Sequence, residues 1–390
     1  MNFRKYIHIH LIWFVIPAIA LVLEIAGGPQ RINNYHIFKN VFWHTLHLKD
    51  LYAHYPSEYF DKNHYGILFS LLIMPFAMLP DWLGAFLWGM ANVSILYLAI
   101  RKLPLNKRSQ KIVLIITFIE MLTSIQNVQF NPMLCSILIL ALLAVRKNKL
   151  GLATFLIIIG TFTKLYGIVG LAFLLFPGSY LKSAGYLLLW SAILFCLPMI
   201  LSNTEFVWNA YIGWKNVLLE KNGENTMSSI SAGMQDISVM GIFKRISGYH
   251  SISYIYFLIP AAIFTLLPLC RYNLYKNTRF QLTLLAQLLI GLVIFSSSAE
   301  SPTYVIAVTG YSIWFVGYGI HPPKWQYILL ALMFILTILS PTDLFPRILR
   351  EQYVIRYALK ALPCLIAWLI ITFQLVFSNF ERDLSQNETN

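Results

Sequence analysis

A succession of long apolar runs, separated by short polar or basic clusters, leaves this chain few ways to fold. The runs cover His8 to Gly27, Tyr65 to Ile100, Ile112 to Ile125, Met133 to Val145, Leu150 to Phe176, Ser183 to Leu201, Tyr254 to Cys270, Leu282 to Phe295, Tyr304 to Ile320, Tyr327 to Leu339 and Ala361 to Phe377. A helix that crosses a bilayer needs about 20 predominantly apolar residues. In lipid every backbone polar group must be satisfied internally, so runs of this kind read as spanning helices. Of the 390 residues 58% are apolar and 12% charged, where a soluble domain carries about 25% charged residues. One water-soluble core cannot hide this much apolar surface. The pattern predicts an all-α, polytopic membrane helical bundle with about ten to twelve transmembrane helices, the range reflecting runs shorter than a perpendicular span.

The 29 Lys and Arg against 16 Asp and Glu give a formal net charge of +13. The positive charges fall in short clusters between apolar runs, such as Arg101, Lys102, Lys107, Arg108 and Lys111, then Arg146, Lys147 and Lys149. Flanks of this kind face lipid headgroups, and no contiguous basic domain remains for nucleic acid. Cys135, Cys196, Cys270 and Cys364 lie within or at the edge of apolar runs with no CxxC pair, so they read as packed thiols rather than a disulfide or metal framework.

The first run follows Arg4 and Lys5 and continues to Glu24 without a small-residue cleavage site. It therefore reads as an uncleaved span with a cytoplasmic N-terminus, and residues 28–64 as a first external loop. There Phe38, Val41, Phe42, Thr45 and Leu46 recur at helical spacing, predicting a helix lying in the interface with its apolar face down. Tyr65 to Ile100 is long enough to cross twice, reversing at Pro80-Asp81. A full hairpin would put Arg101–Lys111 outside, whereas a re-entrant first half would put it inside, as the positive-inside bias favours. Residues 203–249 form a second long polar loop, Thr342 to Lys360 a third polar segment, and 378–390 a polar tail, all within a single membrane domain spanning 1–390. Short soluble loops and the uncleaved first span fit a bacterial plasma membrane.

Hydrocarbon penalises polar groups, so those inside or beside the runs mark cavities and partners. Six groups qualify. The external segment holds Asn34, Tyr35, Asp50, Glu58, Asp61, His64 and Tyr65; an amide cluster runs from Gln126 to Asn131 and includes Gln129; Lys164 lies deep in the run Leu150–Phe176; Gln235, Asp236 and Ser238 precede Arg245; a serine-rich break holds Glu300; and Glu120 stands alone in its run. The amide and serine groups are as readily explained by capping free backbone groups at helix junctions. Lys164, far from either end of its run, can snorkel only in part, which points to an anion such as a lipid phosphate. Glu120 would pair with such a lysine or mark a proton path.

These residues together resemble glycosyltransferase family 87, the polyprenyl-phosphate-mannose-dependent α-mannosyltransferases. Gln129-Phe130-Asn131 matches the family's Gln-x-Asn. Arg146-Lys147 with Leu150-Gly151-Leu152-Ala153 matches its basic turn and small-residue helix, Lys164 the lysine that ends it, and Gln235-Asp236-Ile237-Ser238 with Arg245 its later amide motif and arginine. Upstream, His64-Tyr65-Gly66 with Pro75 and Leu79-Pro80, then Trp88 and Asn92, resemble the family's entry to the second span.

The resemblance implies a GT-C-like fold whose first external loop carries the acceptor site. It implies a hexose, mannose in the family, moved from a polyprenyl-phosphate donor to an extracytoplasmic glycan or lipid. A carboxylate would take the acceptor proton, and Lys164 and Arg245, with Gln129 and Asn131 beside them, would hold the leaving phosphate. No cofactor or metal is demanded, because one lipid-borne phosphate leaves rather than a nucleoside diphosphate. Asn34, Tyr35, His64, Tyr65, Gln235, Asp236 and Ser238 would line the acceptor side. Where the family carries an aspartate after its first span, this chain reads Asn33-Asn34-Tyr35-His36. The substitute bases are Asp50, Glu58, Asp61 and Glu300, with Asp50 preferred because Asp50-Leu51-Tyr52 lies between the interfacial helix and the second span. The alternatives are a protein that binds lipid-linked sugars without transferring them, and a transporter, although no internal symmetry between halves supports the latter.

Overall fold

The structure is a computed structural model that describes residues 4–227, 235–317 and 323–380, with side chains from Ile9 onward except at Thr226 and Met227. Every regular element among the described residues is helical: α1 (Arg4–Ala26), α2 (Asn33–Leu46), α3 (Phe69–Ala77), α4 (Asp81–Arg101), α5 (Lys107–Gln126), α6 (Asn131–Arg146), α7 (Leu150–Thr163), α8 (Tyr180–Cys196), α9 (Thr204–Met227), α10 (Val239–Ser247), α11 (Ile255–Leu266), α12 (Thr278–Ile294), α13 (Tyr304–Val316), α14 (Lys324–Leu332), the single turn α15 (Arg347–Leu349) and α16 (Leu362–Phe377), with short 3-10 and π segments between them. Five stretches are long and apolar enough to cross a membrane, namely Ile9–Ala26, Asp81–Arg101, Lys107–Gln126, Tyr180–Ile200 and Leu359–Phe377, and shorter apolar helices accompany them. The chain is an all-α integral membrane protein.

The chain divides into two compact units, residues 1–103 with 121–221, and residues 104–120 with 222–390. In the first, α4 packs on α1 and α6, α6 on α7, and α7 on α8. Asn92 of α4 fastens one of these joints, since its Oδ1 accepts from the Met133 backbone N–H at the start of α6, 3.1 Å away. That is an orphan donor of a helix N-terminus satisfied by a neighbouring helix. In the second unit α12, α13 and α16 pack on one another, with Gln287 of α12 donating to Thr372 Oγ1 of α16 at 2.8 Å.

Three expectations change. The helix expected in the first external loop forms as α2, but its apolar face is covered by protein rather than lipid: Phe38 meets Tyr65, Phe69 and Trp88 edge-to-face at 5.0, 5.1 and 6.0 Å, and only Leu46 of the expected stripe is exposed. Edge-to-face rings add to the energy of area burial, which favours this site over the headgroup layer. Second, Leu150–Phe176 is not one helix. It breaks at Lys164, whose backbone is extended at φ −149° and ψ 117°, and resumes as a 3-10 segment, Leu165–Leu175. Gly160 and Gly167 make the break possible, since a Cβ on Gly167 would stand 2.2 Å from the Thr161 nitrogen. Third, Cys135 and Cys364 are buried but Cys196 and Cys270 are exposed; on lipid-facing apolar helices a thiol needs no packed partner.

The first half of Tyr65–Ile100 is short. Helix α3 has nine residues, about 14 Å at 1.5 Å per residue, half the hydrocarbon thickness. That favours the re-entrant arrangement, with Arg101 and Lys102 on the side of the N-terminus. Within 203–249 lie α9 and α10.

Candidate functional site

The break after α7 builds the site in the first unit. Gly66 lies against it, its backbone N–H donating to the Thr163 carbonyl at 3.1 Å. The approach is so close that a Cβ on Gly66 would stand 2.1 Å from the Phe162 carbonyl oxygen. This fixes Tyr65 beside Lys164. The ammonium lies 5.6 Å from the Tyr65 ring centroid and 4.9 Å from that of Tyr166, and donates to Asn131 Oδ1 at 2.9 Å. Two ring faces and an amide oxygen orient the ammonium. Asn131 is buried at the start of α6. The turn before it is tight, with Val128 at φ 50°, a left-handed conformation that a β-branched residue rarely adopts. It closes through Val128 N–H to Ile125 O and Gln129 N–H to Ser124 O, at 2.8 and 3.0 Å.

The external loop arrives at the same place. Asn34 donates to the Asn127 carbonyl at 2.8 Å, tying α2 to the amide turn. Tyr52 donates to the Tyr65 carbonyl at 3.2 Å, and Trp214 of α9 to the His64 carbonyl at 2.9 Å. Leu51, Tyr52 and Ile67 form one buried cluster with Val207, Ala210, Trp214 and Val217 of α9. Those α9 residues recur at spacings of three and four, the signature of a helix with one buried face. That signal was readable in the sequence, yet the segment reads as a loop when only its polarity is weighed.

His64 gathers the charges. Burial holds its pKa below the ordinary 6.5, opposed by Asp61 and reinforced by the positive charges of Lys221 and Lys164, with a Lys62 backbone hydrogen bond raising it slightly. Lys62 itself pairs with Glu220 of α9 at 2.8 Å. Of the expected bases of this loop, Asp61 raises the pKa of His64, the same group that the charge of Lys164 lowers. The Asp61 side chain is exposed apart from its bond to the Lys62 backbone N–H at 2.7 Å. Asp50 closes a turn, accepting from the Tyr52 backbone N–H at 2.9 Å. Glu58 meets His44 Nε2 at 2.7 Å and Lys49 at 3.8 Å. Tyr35, placed on the acceptor side from sequence, is buried and donates to the Phe76 carbonyl at 2.9 Å, against Gly84. It serves packing.

In the second unit Gln235, Asp236, Ser238 and Arg245 come together around α10. Asp236 takes φ 51°, its Oδ1 accepts from Ser238 Oγ at 2.5 Å, and Ser238 caps α10 by accepting from the Gly241 N–H at 3.0 Å. Burial pushes the Asp236 carboxyl up to about 6, against the pull of Ser238 and Lys244. Arg245 donates to the Gln235 and Ile355 carbonyls, both at 2.8 Å. These contacts hold main chain. Glu300 caps the turn Ser301–Thr303, exchanging capping-box hydrogen bonds with Thr303. Glu120 pairs with Lys360 at 2.8 Å rather than with Lys164, and Lys360 also donates to Ser301 at 2.8 Å. Lys360 sits at the edge of a segment that reads as polar and outside the apolar runs, which hid it as a partner.

The family model described as Glycosyltransferase family 87 matches residues 63–297, more than half of the chain. The chain belongs to glycosyltransferase family 87. As a family 87 member it is a membrane glycosyltransferase, and the matched span contains His64, Tyr65, Gln129, Asn131, Lys164, Gln235, Asp236, Ser238 and Arg245. Asn34, Asp50, Glu58 and Asp61 precede it and Glu300 follows it. No curated protein sequence matches the chain. Among solved structures, it is similar to ArnT from Cupriavidus metallidurans bound to undecaprenyl phosphate and to the same protein in the apo state. Each is 14% identical, with 94% of this chain and 77% of that chain covered and TM-scores of 0.38 and 0.39.

Proposed function

We propose that this family 87 member transfers a hexose, mannose being the first candidate, from a polyprenyl-phosphate donor to an extracytoplasmic glycan or glycolipid in a bacterial plasma membrane. The observation that carries the reading is Lys164, held by Asn131 between Tyr65 and Tyr166 at the broken end of α7, with the neighbouring His64 feeling the charges of both Lys164 and Asp61. A cation fixed in advance where negative charge develops is the largest common contribution to such a transfer. The acceptor hydroxyl oxygen attacks the anomeric carbon, the bond from that carbon to the phosphate oxygen breaks, and the lipid phosphate leaves on Lys164. The proton passes to the Asp61–His64 pair, whose imidazole is neutral at pH 7 and able to receive it. Gln129 and Asn131 frame the phosphate; Arg245, with its bonds to two carbonyls, shapes the loop Gln235–Ser238.

The test is purified protein in vesicles with a polyprenyl-phosphate-linked labelled hexose, beside the nucleotide-linked form of the same sugar. Label should move to a glycolipid acceptor from the lipid donor alone, and a chelator should leave the rate unchanged, since the leaving group bears one phosphate. Binding of the lipid donor without any transfer would instead support the non-catalytic alternative, in keeping with Asn34 in place of an aspartate.

A further inference from the structure

Asp61 lies between α2 and α3, in a stretch with no helix of its own, all of it in the first unit. Phe60 and Asp61 are exposed, so hydrogen bonds from the flanks, rather than burial, set where the Asp61 carboxylate stands. On the N-terminal flank the bond is made by Glu58. Its Oε2 accepts from His44 Nε2 of α2 at 2.7 Å, and its Oε1 lies 3.8 Å from the Lys49 ammonium. His44 is 2% exposed, with the Tyr55 and Tyr59 rings at 4.2 and 6.3 Å between centroids. A hydrogen bond to a carboxylate is about twice as strong as one between neutral groups, and a buried donor has no water to turn to in its place.

The backbone carries this restraint to Asp61. The N–H groups of Glu58 and Tyr59 both donate to the Tyr55 carbonyl, at 2.9 and 3.0 Å, which makes Tyr55–Tyr59 a closed turn held on α2 through Glu58. The Phe60 N–H then donates to Asn33 Oδ1 at the start of α2, 2.9 Å away. Past Asp61, Lys62 pairs with Glu220 of α9, and the Asn63 amide accepts from the Tyr65 N–H at 2.9 Å and donates to the Tyr65 carbonyl at 3.1 Å. Asp61 is therefore tethered to α2 on one side and to α9 on the other. A base must come within hydrogen-bond reach of its proton, and a misplacement of about 1 Å can cost about 10²-fold in rate. Glu58 itself has one oxygen bonded to His44 and the other facing an ammonium, an arrangement suited to holding the turn rather than to taking a proton.

We propose that Glu58 is a positioning residue for the Asp61–His64 pair: through His44 it fixes the turn Tyr55–Tyr59 on α2 and so sets the reach of the Asp61 carboxylate toward the acceptor hydroxyl. The inference rests on the reading of that pair as the proton acceptor, and adds to it the means by which an exposed loop holds a base in place.

The test is transfer from a polyprenyl-phosphate-linked labelled hexose by the full chain in vesicles, with kcat and the donor KM measured separately. Glu58→Gln keeps an oxygen that accepts from His44 but cannot act as a base, so its kcat should stay within about threefold of wild type. Glu58→Ala releases the turn and should lower kcat by about tenfold or more, while the donor KM stays within about twofold, since Lys164 and Asn131 keep their contacts. His44→Phe retains a ring beside Tyr55 and removes the donor, so its loss should match that of Glu58→Ala. The double variant should be no worse than either single one, because both remove the same bond. Should Glu58→Ala fail to fold, Glu58→Gln and His44→Phe still decide. A loss of about 10²-fold or more in Glu58→Gln would make Glu58 a base and overturn the proposal, as would a wild-type kcat in Glu58→Ala or losses that multiply in the double variant. Wild type that transfers no sugar would overturn the transferase reading, and the positioning role with it.

Discussion

At Lys164 one ammonium is oriented by an amide and two rings, at the C-terminal end of a helix, where the helix dipole favours a cation. The neighbouring charges decide which carboxylate can serve. Asp61→Asn should lower the transfer rate by about 10²–10⁴, the usual contribution of a positioned base, while Asp50→Asn should stay within a few-fold, because Asp50 only closes a turn. Rate against pH is a second reading of the same pair. Burial lowers the His64 pKa, so its neutral form, and the stability that goes with it, is fully present above the ordinary 6.5 and lost as pH falls through the lower folded value. The transfer rate should therefore show an acid limb with its midpoint below 6.5, and His64→Asn should remove that limb. Lys164 and His64 were legible in the sequence as polar residues in apolar surroundings. Their geometry was not: the break at Lys164 depends on Gly66 approaching Phe162 and on the contact of Gly160 with Gly167, and both are tertiary contacts.

Among the elements, α2, α4, α6 and α9 do the positioning. The hydrophobic period announced α2 and the apolar runs announced α4 and α6. What the runs could not show is that α3 is too short to cross and that the face of α2 would be claimed by Tyr65, Phe69 and Trp88. Asn92 reads in sequence as a family motif residue and in the structure as the donor-satisfying cap of α6. Asn92→Ala should cost about 1–2 kcal/mol by stranding the Met133 N–H, read as a lower midpoint in a thermal denaturation of the detergent-solubilised protein. It should also reduce transfer, since α6 carries Asn131. Gly66→Ala should abolish transfer with the protein still in the membrane fraction, because its Cβ cannot fit against Phe162 without moving Tyr65 away from Lys164.

Over the whole molecule, the apolar runs and charge clusters specified an all-helical membrane protein, while the pairing of distant charges stayed hidden. Glu120 and Lys360 are 240 residues apart and meet at 2.8 Å, both buried, with Ser301 bonded to the same ammonium and the Tyr304 ring 4.9 Å from it. Tyr304 in turn donates to the Ile237 carbonyl at 2.8 Å, so this pair underlies the loop Gln235–Ser238. Removing one partner leaves a buried uncompensated charge. Glu120→Leu should therefore destabilise by about 3–5 kcal/mol, and the double replacement with Lys360→Met should recover much of the loss, measured as thermal midpoints of the two variants side by side. The central claim is that a polyprenyl phosphate leaves on Lys164. Its most direct test is product inhibition of transfer by polyprenyl phosphate in wild type and in Lys164→Met. We predict inhibition at least tenfold weaker in the variant, together with a turnover loss of about 10²–10³. Equal inhibition of the two proteins would contradict the account.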